Sequence, residues 1–163
     1  MKGKVLVGGI GNIFLGDDAF GVEVVHRLQK RALPAHVAVK DFGIRSYDLA
    51  YALVENWNLV ILVDALPRGG KPGTLYTMEP DVAFGETGNI DAHTMNPVAA
   101  LQLVSALGGK VGRLLVVGCE PSSLEPSPDG NFTLSAPVSH AVEGAIGIIE
   151  SLVARVPSQA TAA

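Results

Sequence analysis

A short apolar strand, Lys4-Val5-Leu6-Val7, runs into Gly9-Ile10-Gly11-Asn12-Ile13-Phe14-Leu15-Gly16-Asp17-Asp18-Ala19-Phe20-Gly21 and then into an amphipathic segment. This is a strand–loop–helix unit, and it constrains the rest of the chain more than any other feature. Glycine at a strand end lets the backbone turn sharply and approach a neighbouring chain or ligand closely. The two adjacent carboxylates open the helix, where its dipole favours negative charge. A glycine-rich turn built for phosphate would not carry that anionic pair. The unit has the look of a metal or peptide site on a nucleotide-binding-like frame.

Beyond it, short apolar runs alternate with longer helical patterns, the signature of a mostly parallel sheet with helices on both faces. The first strand is predicted over Lys4–Gly9. Phe20, Val24, Val25 and Leu28 line one face of a helix that fades before Pro34. A strand over Val37–Asp41 and a helix over Tyr47–Glu55 follow. Leu59-Val60-Ile61-Leu62-Val63 is a buried central strand that ends at Asp64. The turn-rich link Arg68–Gly73 leads to an extra strand over Thr74–Met78. Glu79–Thr94 is long for a loop in a compact domain and is assigned a functional role. Asn96-Pro97 supplies an N-cap and a first-turn proline for a helix to Leu107. A strand over Leu114–Gly118, a proline- and serine-rich loop over Cys119–Ala136 and a helix over Val138–Val153 complete the chain.

At 163 residues, the chain suits one α/β domain with a sizeable core. Residues 1–155 are assigned to that domain and 156–163 to a flexible tail. Nearly half the residues are hydrophobic (48%), which argues against disorder. A net charge of −4 with scattered basic residues leaves no footprint for nucleic acid. The single cysteine, Cys119, excludes an intrachain disulfide and a cysteine-based zinc site. No apolar run approaches the roughly 20 residues of a membrane span, and no signal-peptide pattern opens the chain. The cytoplasm is the expected compartment.

Two site readings compete at the glycine loop. Gly9 and Gly11 fit a dinucleotide fingerprint, and Asp41 could be its ribose-binding acid. Its third glycine fails, because Phe14 stands there, and the acid pair would face the pyrophosphate. The other reading is a carboxylate–imidazole metal site. In an open parallel sheet, ligands bind beyond the carboxyl ends of the strands. Asp18 follows the first strand, Asp64 ends the central one, and His93 precedes a helix on the same side. Two carboxylates and one imidazole suit a borderline divalent ion such as nickel or zinc. Against this, Asp17 or Asp18 could simply cap a helix, and His93 alone reads as a loop residue. Asp64 is harder to dismiss, since a carboxylate ending a buried strand needs a partner. His26, His36 and His140 read as surface residues and Cys119 as a small core residue. Ser122, Ser123 and Ser135 lack a nucleophile-elbow context.

At these residues the chain resembles the maturation proteases of nickel–iron hydrogenases. The likeness lies in Gly9-x-Gly11-Asn12 with its acid pair, the strand closing on Asp64-Ala65, the His93 loop and the late segment Leu134–Val138. The matches come in family order and cover residues 4–150. The resemblance implies a twisted sheet between helices. It also implies an endopeptidase that removes the C-terminal extension of the hydrogenase large-subunit precursor once nickel is inserted. Asp18, Asp64 and His93 then stand at the family's three metal-contacting and catalytic positions, with nickel supplied by the precursor and none tightly bound to the protein alone. The family often has Glu at the first position, so Asp18 is a shorter ligand.

The family's Asp-Gly-Gly-Thr-x-Gly motif reads Asp41-Phe42-Gly43-Ile44-Arg45-Ser46 here. Gly11, Asn12, Asp41, Gly43 and Arg45 are the expected substrate-binding positions, and the bulkier loop bears on which client is accepted. A non-proteolytic nickel-binding checkpoint or chaperone using the same three residues is the alternative, and a nucleotide-binding protein stands third.

Overall fold

The computed structural model describes residues 3–80, 97–126 and 133–157. Five strands, β1 (Val5–Ile10), β2 (Val37–Gly43), β3 (Leu59–Ala65), β4 (Leu75–Met78) and β5 (Arg113–Cys119), form one sheet in the order β2-β1-β3-β5-β4. β1 pairs parallel with β2 and with β3, and β3 pairs parallel with β5. The extra strand predicted near Thr74 is β4, and it pairs antiparallel with β5. Its direction follows from chain length: the link over 66–74 is too short to carry a helix back across the sheet.

Side chains alternate across a strand, so a run such as Leu59–Val63 must bury both faces. It does. Val5, Val7, Ile61, Val63, Leu115 and Val117 pack under α1 (Phe20–Leu28) and α4 (Ala136–Ala154). Leu6, Ile10, Val60, Leu62, Leu114 and Val116 pack under α2 (Ser46–Leu53) and α3 (Pro97–Ala106). In α1 the predicted stripe of Phe20, Val24, Val25 and Leu28 is fully buried. α4 starts two residues earlier than predicted, because Pro137 suits a first turn that needs no N–H there. α2 is also shifted toward its N-terminus, running Ser46–Leu53.

Other differences bear on the site. The acid pair does not open α1: Asp17 and Asp18 lie in a 3-10 turn, Gly16–Ala19, that precedes it. His36 is half-buried rather than on the surface, and its Nε2 has no hydrogen-bond partner among the described residues. His26 and His140 are exposed, as expected. No helix among the described residues is long and apolar enough to cross a membrane. The predicted loop beyond residue 80, including His93, the Asn96 cap, and the end of the tail from residue 158 lie outside the described residues.

Candidate active site

Two glycines let the first turn fold back onto the sheet. A Cβ on Gly21 would overlap the carbonyl oxygen of Val63, so the start of α1 sits directly against the end of β3. Gly11 has φ +145°, and a Cβ there would overlap the carbonyl oxygen of Asp18. The 3-10 turn is thereby laid over the carboxyl ends of β1 and β3, which is where Asp64 ends its buried strand.

The two adjacent aspartates then part company. Asp17 is 2% exposed and turns inward. Its Oδ1 accepts the Ser135 N–H at 2.7 Å. Its Oδ2 accepts the Ser122 N–H at 2.7 Å, the Ser123 N–H at 3.3 Å and the Ser135 hydroxyl at 2.9 Å. A single carboxylate thus ties the first turn to the segment after β5 and to the residue preceding α4. Ser135 stands at the N-cap position, yet its side chain serves Asp17 instead of the helix. Asp18 turns the other way. Its Oδ2 accepts the Asn12 N–H at 2.8 Å, and neither aspartate caps a helix.

Asp18 and Asp64 interact through their charges. Burial pushes the Asp18 carboxyl above its usual range, with the Asn12 N–H pulling it back in part. Burial pushes Asp64 well above that range, the Asp18 charge adds to the rise, and the Ala65 N–H opposes it. A carboxyl raised by burial and by a neighbouring carboxylate in this way tends to hold a proton, or to welcome a cation. No cluster of three or more His, Cys, Asp or Glu that could hold a metal occurs among the described residues.

The glycine loop has spent most of its N–H groups on its own fold. The Gly11 N–H donates to the Gly43 carbonyl, the Asn12 N–H to Asp18, the Phe14 N–H to Asn12 Oδ1 and the Leu15 N–H to the Asn12 carbonyl. A phosphate cradle needs those groups free. The remaining predicted contact positions build the wall beside the acid pair. Asp41 is the Cα partner of Gly9 on β1, and its Oδ2 lies 2.8 Å from His26 Nε2. Gly43, at φ +52°, uses its carbonyl to hold Gly11. The Arg45 guanidinium folds back onto the Asp41 carbonyl and onto Asp48 Oδ2, the latter at 3.0 Å.

Sequence reasoning missed the buried Glu120, which accepts the Arg68 and Gly69 N–H groups and the Tyr76 hydroxyl. Burial alone would raise this carboxyl, but those donors, with Gly70, hold it below its usual range. The signal was available, since Glu120 directly follows a buried strand and Asp64 stands near the end of another. Cys119 is fully buried and its thiol is pushed up to about 11 by burial, with Asp17 and Glu120 adding to the rise. That is the state of a core residue and not of a nucleophile.

An α/β frame with a raised acid pair at the carboxyl ends of its strands, and a glycine loop closed to phosphate, defines an acid-site protein rather than a nucleotide binder. The model of one family, HycI, described as hydrogenase maturation protease, matches residues 22–152. A putative hydrogenase maturation protease from Methanocaldococcus jannaschii is 36% identical over 154 residues, which is 91% of this chain and 95% of that protein. The hydrogenase 2 maturation protease of Escherichia coli K12 is 30% identical over 160 residues, covering 96% of this chain and 98% of the relative. Among solved structures, the hydrogenase maturating endopeptidase HybD from E. coli superposes with a TM-score of 0.78 at 28% identity, covering 93% of this chain and 92% of that one. The chain belongs to the HycI family of hydrogenase maturation proteases, and it is a hydrogenase maturation endopeptidase.

Proposed function

We propose that this endopeptidase removes the C-terminal extension of a nickel–iron hydrogenase large-subunit precursor after nickel insertion, with the precursor's nickel as the recognition element. Asp18, Asp64 and His93 carry the activity in this reading, on the frame of residues 1–155. One observation supports it above the others: burial raises two partly buried carboxyls, Asp18 in the turn after β1 and Asp64 near the end of β3, and the Asp18 charge adds to the rise at Asp64. Such a pair is relieved either by a shared proton or by a cation. Its oxygens, joined by the His93 imidazole, form a donor set suited to a borderline divalent ion.

Nickel arrives with the precursor, and when bound it polarises neighbouring oxygens and anchors the segment to be cut. The chain's own residues supply proton handling. A carboxylate oxygen of the Asp18–Asp64 pair takes a proton from the attacking water. It passes that proton to the departing amine as the peptide C–N bond breaks. The Asn12 N–H keeps one Asp18 oxygen fixed, so the pair is aimed before substrate arrives.

The test is incubation with nickel-loaded and nickel-free precursor, followed by the mass of the product. Loss of a C-terminal segment from the nickel-loaded form alone is the expected result. Equal trimming of both forms would remove nickel as the recognition element. Nickel capture without cleavage would select the chaperone alternative.

A further inference from the structure

Among the described residues β2 is an edge strand whose only sheet neighbour is β1. The Val5 N–H donates to the His36 carbonyl at 3.0 Å, and peptide groups in a parallel ladder alternate sides. Those of Val37, Val39 and Asp41 therefore face outward. Three of these outward groups are already taken. The Val37 N–H turns back to the Pro34 carbonyl. The Val39 carbonyl accepts Gln29 Nε2 at 3.2 Å, and the Asp41 carbonyl accepts the Arg45 guanidinium. Among the described residues the N–H groups of Val39 and Asp41 have no such cap. Both capping side chains are exposed. Beside the strand lies a groove of about 600 Å³, lined by Gln29, Val39, Asp41, Arg45, Tyr51 and Glu55 among others.

Capping an edge with side chains guards it against indiscriminate pairing. Here the guards are two exposed side chains over a groove that shares Asp41 with the wall of the site, where Asp41 pairs with Gly9 and Gly43 holds Gly11. Resting on the function proposed above, we infer that the outer edge of β2 receives an extended segment of the precursor's C-terminal region as an added strand, displacing Gln29 and Arg45. Main-chain bonds supply the affinity, and the groove reads alternate side chains. The same edge explains why Arg45 is turned back onto its own loop in the free protein.

The register sets the distance to the chemistry. Asp41 is level with Gly9, and Gly9 with Val63, the residue before Asp64. An added strand lies three strand spacings, roughly 15 Å, from β3. At about 3.3 Å per residue, the docked segment is about four to five residues from the bond being cut. The edge is therefore a docking element for the client, separate from the acid pair.

The test is the KM for nickel-loaded precursor in two variants, each with a thermal melt. Val39→Pro removes one outward donor without touching the ladder to β1, and proline is tolerated on edge strands. Its KM is expected to rise about tenfold at unchanged kcat, the loss of one well-placed main-chain bond. Gln29→Ala removes a competitor for the Val39 carbonyl, and its KM is expected to fall about two- to fivefold. A folded Val39→Pro with wild-type KM overturns the inference, and so does Gln29→Ala whose KM does not fall; the latter decides alone should Val39→Pro fail to fold. A concentration-dependent dimer abolished by either variant would assign the edge to a second copy of the chain and also overturn it. Wild-type protein that leaves the precursor uncut defeats the proposed function and this inference together. Cleavage with unresponsive variants defeats only the edge.

Discussion

Asp17 and Asp18 are neighbours of the same chemistry, and the structure demands opposite consequences from the same substitution. In Asp17→Asn one carboxylate oxygen becomes an amide NH2. Either the Ser135 N–H or the Ser122 and Ser123 N–H groups then face a donor instead of an acceptor. A hydrogen bond to a charged group contributes about 1.5–3 kcal/mol, and a buried donor left unsatisfied costs about 1–3 kcal/mol. The site is 2% exposed, so water cannot repair it. A loss of about 3–4 kcal/mol follows, near the upper end for one substitution. For a domain of this length that lowers Tm by about 6–15 °C.

Asp18→Asn keeps an oxygen for the Asn12 N–H and removes a charge that opposes Asp64. It should melt at or above the wild-type temperature while losing processing. Differential scanning calorimetry on both variants, paired with precursor cleavage, reads the contrast. An Asp17→Asn protein melting within about 2 °C of wild type would refute the idea that this carboxylate fastens three segments together. An Asp18→Asn protein that unfolds readily would refute the division of labour.

Asp64→Asn should stay folded and lose about 10²–10⁴-fold in processing, the usual contribution of a positioned acid–base group. Asp18→Asn and His93→Ala should lose similar amounts, with double variants far from additive if the three act as one unit; a cleavage time course at wild-type rate for Asp64→Asn would sink the mechanism. Glu120→Gln tests the second buried carboxylate through pH. Its folded-state value is depressed, so its stabilisation is present above the ordinary carboxylate range and is lost as pH falls through the depressed value. The variant should therefore melt below wild type at neutral pH, and the gap should close on acidification; a gap independent of pH would mean that charge is not the cause. The protein alone should retain far less than one equivalent of nickel after dialysis, because two carboxylates and one imidazole are a sparse donor set, and elemental analysis showing a full equivalent would favour a metal carrier.

What a single pass along the chain could determine was whatever depends on near neighbours. The central strands β1, β3 and β5 and the stripe of α1 are legible in the sequence, because burying both faces of a parallel strand requires an unbroken apolar run and burying one helix face requires spacing near 3.6. The carboxyl-end location of Asp64 follows from the same local logic. The antiparallel β4 was legible as a strand, but its place beside β5, a strand that comes some 35 residues later, was not. Tertiary structure alone decided which aspartate of the pair is structural. Asp17 finds its donors at Ser122, Ser123 and Ser135, more than 100 residues away, and no local pattern distinguishes it from Asp18. Glu120 draws on donors about 50 residues back, at Arg68 and Gly69. His26 and Asp41 likewise meet only because α1 lies across β1 and β2. A carboxylate's role is set by which donors surround it, and in this fold those donors arrive from distant parts of the chain once the sheet has assembled.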